Sequence, residues 1–285
     1  MTDYTSTLII GANGQLAKAM QQQYPSARAV GHNDLNLCDA AAIATFDWSG
    51  IKTIINTAAY TNVDGAETSE GRAAAWRINA QAVGQLARIC SERDITLVHV
   101  SSDYVFDGET APHTEDELFS PLSVYGASKA AGDIAASTTP RHYIIRTSWV
   151  IGDGKNFVTT MLGLAAKNIA PTVVADQIGR LSFTPEIARA INYLVENKAP
   201  YGTYNVTNSG PLVSWADITR QIFALAGRDD LLVTDTTTAE YFANKPGVAP
   251  RPLNSDLSLE KLHATGFASQ DWQDALHEYV VRSIH

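Results

Sequence analysis

Cysteine is nearly missing from this sequence: Cys38 and Cys90 are the only two in 285 residues. Two thiols give no disulfide framework and fit a reducing compartment, so a cytoplasmic protein is expected. Long apolar runs are missing as well. None approaches the roughly 20 residues that a membrane-spanning helix needs. The lead-in Met1 to Ser6 carries neither a basic segment nor an apolar core, so no signal peptide is expected. Positive charge is in short supply: 21 Lys and Arg face 30 Asp and Glu, a formal net charge of -9. Such a surface repels phosphate backbones and anionic lipid, which leaves out nucleic acid and membrane as partners. A small phosphate ligand is still accommodated, because it needs only a few backbone N–H groups and local cations. The seven histidines are scattered with no pair at metal-ligand spacing, so no metal site is expected. There is no internal repeat and no low-complexity run.

What is present begins with a strand, a glycine turn and a helix. Thr7-Leu8-Ile9-Ile10 reads as a buried strand ending at Gly11, and a helix follows to about Tyr24. Between them stands Gly11-x-x-Gly14-x-x-Ala17. Gly11 allows a tight turn, Gly14 lets the backbone approach a pyrophosphate, and Ala17 allows close helix–strand packing. This is the opening of a dinucleotide-binding unit. The second strand, Ala27 to Gly31, is not closed by an acid that would bind a ribose 2′-OH; Asp34 comes three residues later. That leaves room for a 2′-phosphate, which His32 or Arg28 can face, so NADPH is favoured over NADH.

A second constellation lies in the middle of the chain. Ile95 to Ser101 reads as a buried strand that delivers Ser102 and Asp103 at its end. Tyr125-Gly126-Ala127-Ser128-Lys129 opens a helix, and the four-residue spacing puts Tyr125 and Lys129 on one face. An ammonium near a phenol favours the phenolate, so Lys129 is expected to lower the pKa of Tyr125. Ser102, Tyr125 and Lys129 thus form a candidate proton-transfer site. Asn79, on the long helix from about Ser69 to Arg93, reads either as a satisfied core asparagine or as a group that orients backbone or water near Lys129. The Asp107 to Pro121 loop is expected to cross the mouth of the site.

Strands also read at Thr53 to Asn56, Tyr143 to Thr147, and Thr172 to Ala175, the last as the sixth strand of the series. The alternation of strands and helices predicts an α/β fold, a Rossmann-type doubly wound parallel sheet. Residues 1–150 form its dinucleotide-binding core, with parts of 151–210 completing the sheet. Residues 151–285 form mainly a smaller, mixed substrate-binding region. Ligands of such folds bind at the carboxyl ends of the strands, where Gly11 to Leu16, Ala59 to Thr61, Ser102 to Asp103 and Thr147 to Trp149 converge.

These residues together resemble the extended short-chain dehydrogenase/reductases. Ile55-Asn56-Thr57-Ala58-Ala59-Tyr60-Thr61-Asn62-Val63-Asp64, Ser101-Ser102-Asp103-Tyr104-Val105-Phe106, Arg146-Thr147-Ser148-Trp149-Val150, Asp176-Gln177-x-Gly179 and Arg251-Pro252-x-Asn254-Ser255 narrow this to the dTDP-4-dehydrorhamnose reductase family. The resemblance implies NAD(P)H-dependent reduction of the 4-keto group of dTDP-4-dehydro-L-rhamnose, the last step towards dTDP-L-rhamnose. It implies Tyr125 as general acid, Lys129 on the nicotinamide ribose, and Ser102 on the keto oxygen. Asp103, Trp149 and Arg251 fall in the dTDP-sugar site. Gly11, Gly14, Gln15 and Leu16 cover the pyrophosphate, Asn36 and Leu37 flank the adenine, and Ala59, Tyr60, Thr61 and Val100 contact the rest of the cofactor.

The chain departs from the family at a few places. Asn36 stands where many members carry Asp. Arg180-Leu181-Ser182 replaces the usual Ser/Arg-Pro-Thr in a loop expected to face the substrate. Ala19, beside Lys18, stands where some members have glutamates that bridge a dimer through Mg²⁺. That argues against a metal-bridged dimer and for a monomer or weak homodimer. The polar lead-in is compatible with a remnant of a fusion to another enzyme. Three readings stay open beside the reductase: a ketoreductase for another nucleotide sugar, a 4-epimerase, and a catalytically silent cofactor-binding subunit.

Overall fold

Short apolar runs closed by turns build the central sheet of the computed structural model, which describes residues 3–243 and 245–284. Met1 and Thr2, at the head of the lead-in, lie outside the described residues. In chain order come β1 (Thr7–Ile10), α1 (Gln15–Gln23), β2 (Arg28–Val30), α2 (Ala40–Thr45) and β3 (Thr53–Asn56). Next are α3 (Ser69–Trp76), α4 (Ala82–Arg93), β4 (Thr96–Ser102), α5 (Val124–Ser137) and β5 (His142–Thr147). Then follow β6 (Val150–Ile151), α6 (Phe157–Ala166), β7 (Thr172–Val174), β8 (Ile178–Gly179), β9 (Ser182–Phe183), α7 (Thr184–Glu196) and β10 (Gly202–Asn205). The chain ends with β11 (Val213–Ser214), α8 (Trp215–Leu225), β12 (Thr234–Thr236), α9 (Thr238–Phe242), α10 (Glu260–Ala264) and α11 (Trp272–Ile284).

The main sheet runs β2-β1-β3-β4-β5-β10 and every pairing in it is parallel. Alternation along the strands separates two apolar layers. Ile9, Ile55, Val98 and Ile145 face α1 and α7, while Leu8, Ile54, Leu97 and Ile144 face α4. The sheet is therefore wound on both faces. Tyr4 of the lead-in packs edge-on against Tyr24, centroids 4.5 Å apart, and its backbone N–H donates to Ser26.

The sixth strand of the sheet is β10, not the expected Thr172 to Ala175. β7 pairs in parallel with β12 instead. The cause is packing. Val173 is buried with Ile222, Phe223 and Trp272 in a separate core formed by α6, α8 and α11. The apolar face of α7 packs on α1 and carries the chain back to place β10 beside β5. The loop from Asp107 to Pro121 also differs from expectation. None of its residues lines the cleft described below. It folds against the C-terminal region, where the His113 N–H donates to the Asp256 carbonyl at 2.7 Å.

The long helix expected from Ser69 to Arg93 is present, but interrupted by one π-helical turn, Arg77–Gln81. That turn carries the buried Asn79. Helix α5 approaches it so closely that a Cβ at Gly132 would lie 2.2 Å from the Asn79 carbonyl oxygen. Behind the same helix, Asp133 accepts a 3.0 Å hydrogen bond from Arg146 Nε on β5, with side chains 1% and 4% exposed. Arg146 also donates to the Glu115 carbonyl and lies over the rings of Phe106 and Phe119. Removing one member of a buried pair strands the other charge. Arg146→Leu is thus expected to lower unfolding free energy by about 3–5 kcal/mol. The double variant Asp133→Leu/Arg146→Leu should lose less. Denaturant titration of the three proteins checks this; equal losses in single and double variants would refute it.

Candidate active site

The strand order reverses at β1, whose neighbours β2 and β3 lead away in opposite directions. A crevice opens at the carboxyl end of such a switch point. Here it is a cleft of about 840 Å³. Its floor is the glycine turn. Gly11 has φ +96°, and a Cβ there would lie 2.9 Å from the backbone nitrogen of Ala58. Only glycine lets β1 turn this tightly against the segment after β3. Gly14 then caps α1 without any side-chain cap hydrogen bond. The first amides of α1 are left to a ligand, and Gln15, Leu16 and Ala17 line the cleft. An uncapped helix start in a cleft of this size fits a pyrophosphate-bridged dinucleotide.

The opposite wall carries the proton chemistry. Ser102 and Asp103 stand at the end of β4, and α5, capped by the Ser123 hydroxyl, presents Tyr125 and Lys129 one turn apart. The Tyr125 ring stands edge-on to Tyr104, centroids 5.6 Å apart. Burial pushes the Tyr125 phenol up to about 12, against a downward pull from the Ser102 hydroxyl. The expected lowering by Lys129 is therefore not found. Loss of water around the phenol sets the direction, and the ammonium is engaged elsewhere. Lys129 Nζ donates to the Val100 carbonyl at 2.6 Å. Its own pKa falls to about 8 through burial, with Asp133 opposing. The phenol is consequently a protonated acid at neutral pH, the state that proton donation requires.

Most residues singled out from the sequence meet here. Gly11, Gly14, Gln15, Leu16 and Leu37 line one half of the cleft; Ala59, Thr61 and Val100 line its middle. Ser102, Asp103, Tyr125, Lys129 and Trp149 line the other half. Three others lie outside its wall. Asn36 uses its side-chain oxygen to accept the Cys38 N–H and so stiffens the turn that carries Leu35 and Leu37. Tyr60 is held through its backbone N–H and C=O by Asn79, which also donates to Ser128. Asn79 is thus both a satisfied core group and the orienter of the loop after β3. Arg251 pairs with both carboxylate oxygens of Asp64, at 2.9 and 3.0 Å. It straps the proline-rich link to the loop after β3.

Sequence reasoning also missed contributors. Trp215, the first residue of α8, stacks on Trp149 with centroids 3.8 Å apart, and both line the cleft. Trp149 has φ +46°, and a Cβ on Gly179 would lie 2.9 Å from its indole ring. Gly179 therefore makes room for the Trp pair. Only the assembled fold brings residues 149, 179 and 215 together.

The loop expected to face the substrate turns inward instead. Leu181 and Ser182 are fully buried, and Arg180 binds the Asp256 carboxylate and the Leu257 carbonyl. None of the three lines the cleft. The departure at Arg180-Leu181-Ser182 is thus a change of internal bracing. Among the described residues, no three His, Cys, Asp or Glu side chains converge as a metal site, and no helix is long and apolar enough to cross a membrane.

This is the architecture of a Rossmann-type reductase. Within that class the chain belongs to the family described as the RmlD substrate binding domain, whose model matches residues 5–284. It is 36% identical to a dTDP-4-dehydrorhamnose reductase of Aggregatibacter actinomycetemcomitans, covering 94% of this chain and 96% of that one. It is also 36% identical to a probable dTDP-4,6-dihydroxy-2-methyloxan-3-one 4-ketoreductase of Streptomyces antibioticus, over 95% of this chain and 93% of the other. The crystal structure of dTDP-4-dehydrorhamnose reductase from Bacillus anthracis in complex with NADP superposes with a TM-score of 0.87. Identity there is 32%, covering 97% of both chains.

One end of the cleft speaks to the choice between dinucleotides. Arg28, expected near a 2′-phosphate, lies over the Phe46 ring at 4.7 Å. Asp34 folds back so that its carboxylate accepts the Gly31 N–H at 2.8 Å. An acid absent from the strand end in sequence is thus hydrogen-bonded to it in space, while His32, also expected near a 2′-phosphate, lines the cleft; the site accommodates NADPH or NADH, and NADP is the ligand of the Bacillus anthracis reductase. Asp34→Ser is expected to improve binding of a 2′-phosphorylated dinucleotide, relative to its unphosphorylated counterpart, by about tenfold, the factor given by about 1.4 kcal/mol of relieved repulsion. Fluorescence titration with both dinucleotides measures the ratio; an unchanged ratio means the carboxylate does not face the ribose.

Proposed function

We propose that the protein reduces the 4-keto group of dTDP-4-dehydro-L-rhamnose to give dTDP-L-rhamnose, with NADPH or NADH. The observation that carries this reading is a protonated Tyr125 beside Ser102, in the same cleft as the uncapped start of α1. The full-length likeness to reductases of that name supplies the substrate. The dinucleotide provides the hydride that reaches the sugar C4. The chain's own residues handle the proton and the charge. Tyr125 gives its phenolic proton to the keto oxygen as negative charge develops there. Ser102 donates a hydrogen bond to the same oxygen. Lys129, anchored on the Val100 carbonyl, presents its ammonium to the ribose hydroxyls. Gln15 and Leu16, at the start of α1, would hold the pyrophosphate through backbone N–H groups, and Gly14, whose own N–H donates to the Gly11 carbonyl, lets the backbone come close. Asp103 and the Trp149–Trp215 stack border the sugar.

The protein acts on the dTDP-sugar in the cytoplasm as a monomer or weak homodimer, in keeping with its two free thiols. A 4-keto reduction of a related dTDP-sugar is the second reading, favoured by the likeness to the Streptomyces antibioticus ketoreductase. Cofactor oxidation with dTDP-4-dehydro-L-rhamnose, made in situ, tests the first reading. Turnover with another dTDP-4-keto sugar and none with this one would transfer the assignment to the second. Tyr125→Phe should keep the fold and bind dinucleotide while turning over at least about a hundredfold more slowly. Near-native turnover in that variant would remove Tyr125 from the proton-donor role.

A further inference from the structure

Behind the catalytic wall, the C-terminal region reaches into the site through one side chain. Ser255 sits where the backbone after Leu253 docks on β8, its N–H donating to the Ile178 carbonyl at 2.8 Å. The fit is close: a Cβ on Gly108 would lie 2.9 Å from backbone atoms of Leu253 and Asn254. From there the Ser255 hydroxyl donates to Asp103 Oδ2 at 2.6 Å. The other carboxylate oxygen, Oδ1, accepts from the Ser102 hydroxyl at 3.0 Å. Ser255 and Asp103 are 2% and 3% exposed. Asp103 lines the cleft and Ser255 does not.

The two bonds are unequal. An O–H bonded to a carboxylate is usually roughly 2.5–2.7 Å from it. Ser255 meets that standard and Ser102 falls short of it. We propose that Ser255 is a positioning residue of the reaction, which satisfies Asp103 so that the Ser102 hydroxyl stays loosely held and can turn to the keto oxygen. The inference rests on the reductase reading. Without Ser255, the buried carboxylate has one hydroxyl donor instead of two. Its unmet demand then falls on Ser102, which is drawn away from the reacting oxygen.

The charge state of Asp103 makes the idea testable. Burial pushes its pKa up to about 6, against the hydrogen bonds from Ser255 and Ser102. No lysine or arginine among the described residues is ion-paired with it. The ionisable groups that face it are the Tyr104 and Tyr125 phenols and the His113 imidazole. Loss of the Ser255 donor removes a bond to the charged form, so the folded pKa must rise further. Below that pKa, Asp103 is neutral and no longer competes as an anion for the Ser102 proton.

The experiment compares native protein, Ser255→Ala and Ser255→Thr over a pH series. In the alanine variant kcat is expected to fall about tenfold well above the Asp103 inflection, while KM for the dinucleotide is unchanged. The deficit should close as pH falls through the inflection, and the threonine variant should restore native kcat. A deficit of the same size at every pH, or no deficit, overturns the proposal. Carboxyl ¹³C NMR supplies a reading that needs no turnover. The aspartate signal lost in Asp103→Asn should titrate near 6 in the native protein and at higher pH in Ser255→Ala. An unmoved inflection refutes the coupling even if the substrate assignment proves wrong.

Discussion

The packing of one face of α5 against β4 and β5 is the constraint on which the rest of this molecule depends. That face carries Tyr125, Lys129 and Asp133 at successive helical turns. The upper two look into the cleft, and the lowest is bound to Arg146 on β5. Helix α5 packs this closely on its neighbours because it is rich in small residues; a Cβ at Gly126 or Gly132 would collide with the turn after β4 at Tyr104 or with the π turn at Asn79. The approach takes three ionisable groups out of water together. Desolvation then dominates each of them: the phenol rises, the ammonium falls, and the carboxyl rises. A protonated acid beside a restrained cation is thus a consequence of packing.

The same closeness explains why Lys129 does not act on Tyr125 as its helical spacing suggests. Spacing fixes which face a side chain occupies and says nothing of competing partners. The Val100 carbonyl, at the end of β4, takes the ammonium. Asp133 opposes the fall of the ammonium's pKa, and Arg146 opposes the rise of Asp133's own. A chain of ionisable groups runs from cleft to sheet interior. It is satisfied at the inner end by the Glu115 carbonyl and by two aromatic faces. The Asp107 to Pro121 loop belongs to this chain, which is why it lies behind the site and not across its mouth.

Local physics was legible in the sequence and long-range physics was not. β1 to β5, the glycine turn and the Tyr125–Lys129 face follow from neighbouring residues, and the structure has them all. Membership of β7 in the main sheet could not be read, because it depends on whether Val173 packs with Ile222 and Phe223 or with the first core. The π turn at Asn79 could not be read either, since an unbroken helical pattern runs through it. Asp34 is the sharpest case. Three residues separate it from the end of the second strand in the chain, yet a turn brings its carboxylate back to the Gly31 amide. Sequence distance stood in for spatial distance, and a carboxylate was left out of the account of that end of the cleft.

Arg180-Leu181-Ser182 carries the same lesson into specificity. These residues break the family pattern where substrate contact was expected, but Leu181 is core, Ser182 is buried, and Arg180 braces the segment around Asp256. A change in such a brace need not touch the sugar. It acts on where the backbone from Leu253 to Leu257 lies, and Ser255 is on that segment. A hydrogen-bonded path from that segment to Ser102 runs through Ser255 and Asp103, by bonds of 2.6 and 3.0 Å. The side chains that do line the cleft beyond Ser102 include Asp103, Tyr104 and the Trp149–Trp215 stack. One of these four, Trp215, lies in none of the stretches that carry the family resemblance. Its place in the lining follows from the path of the chain around the cleft.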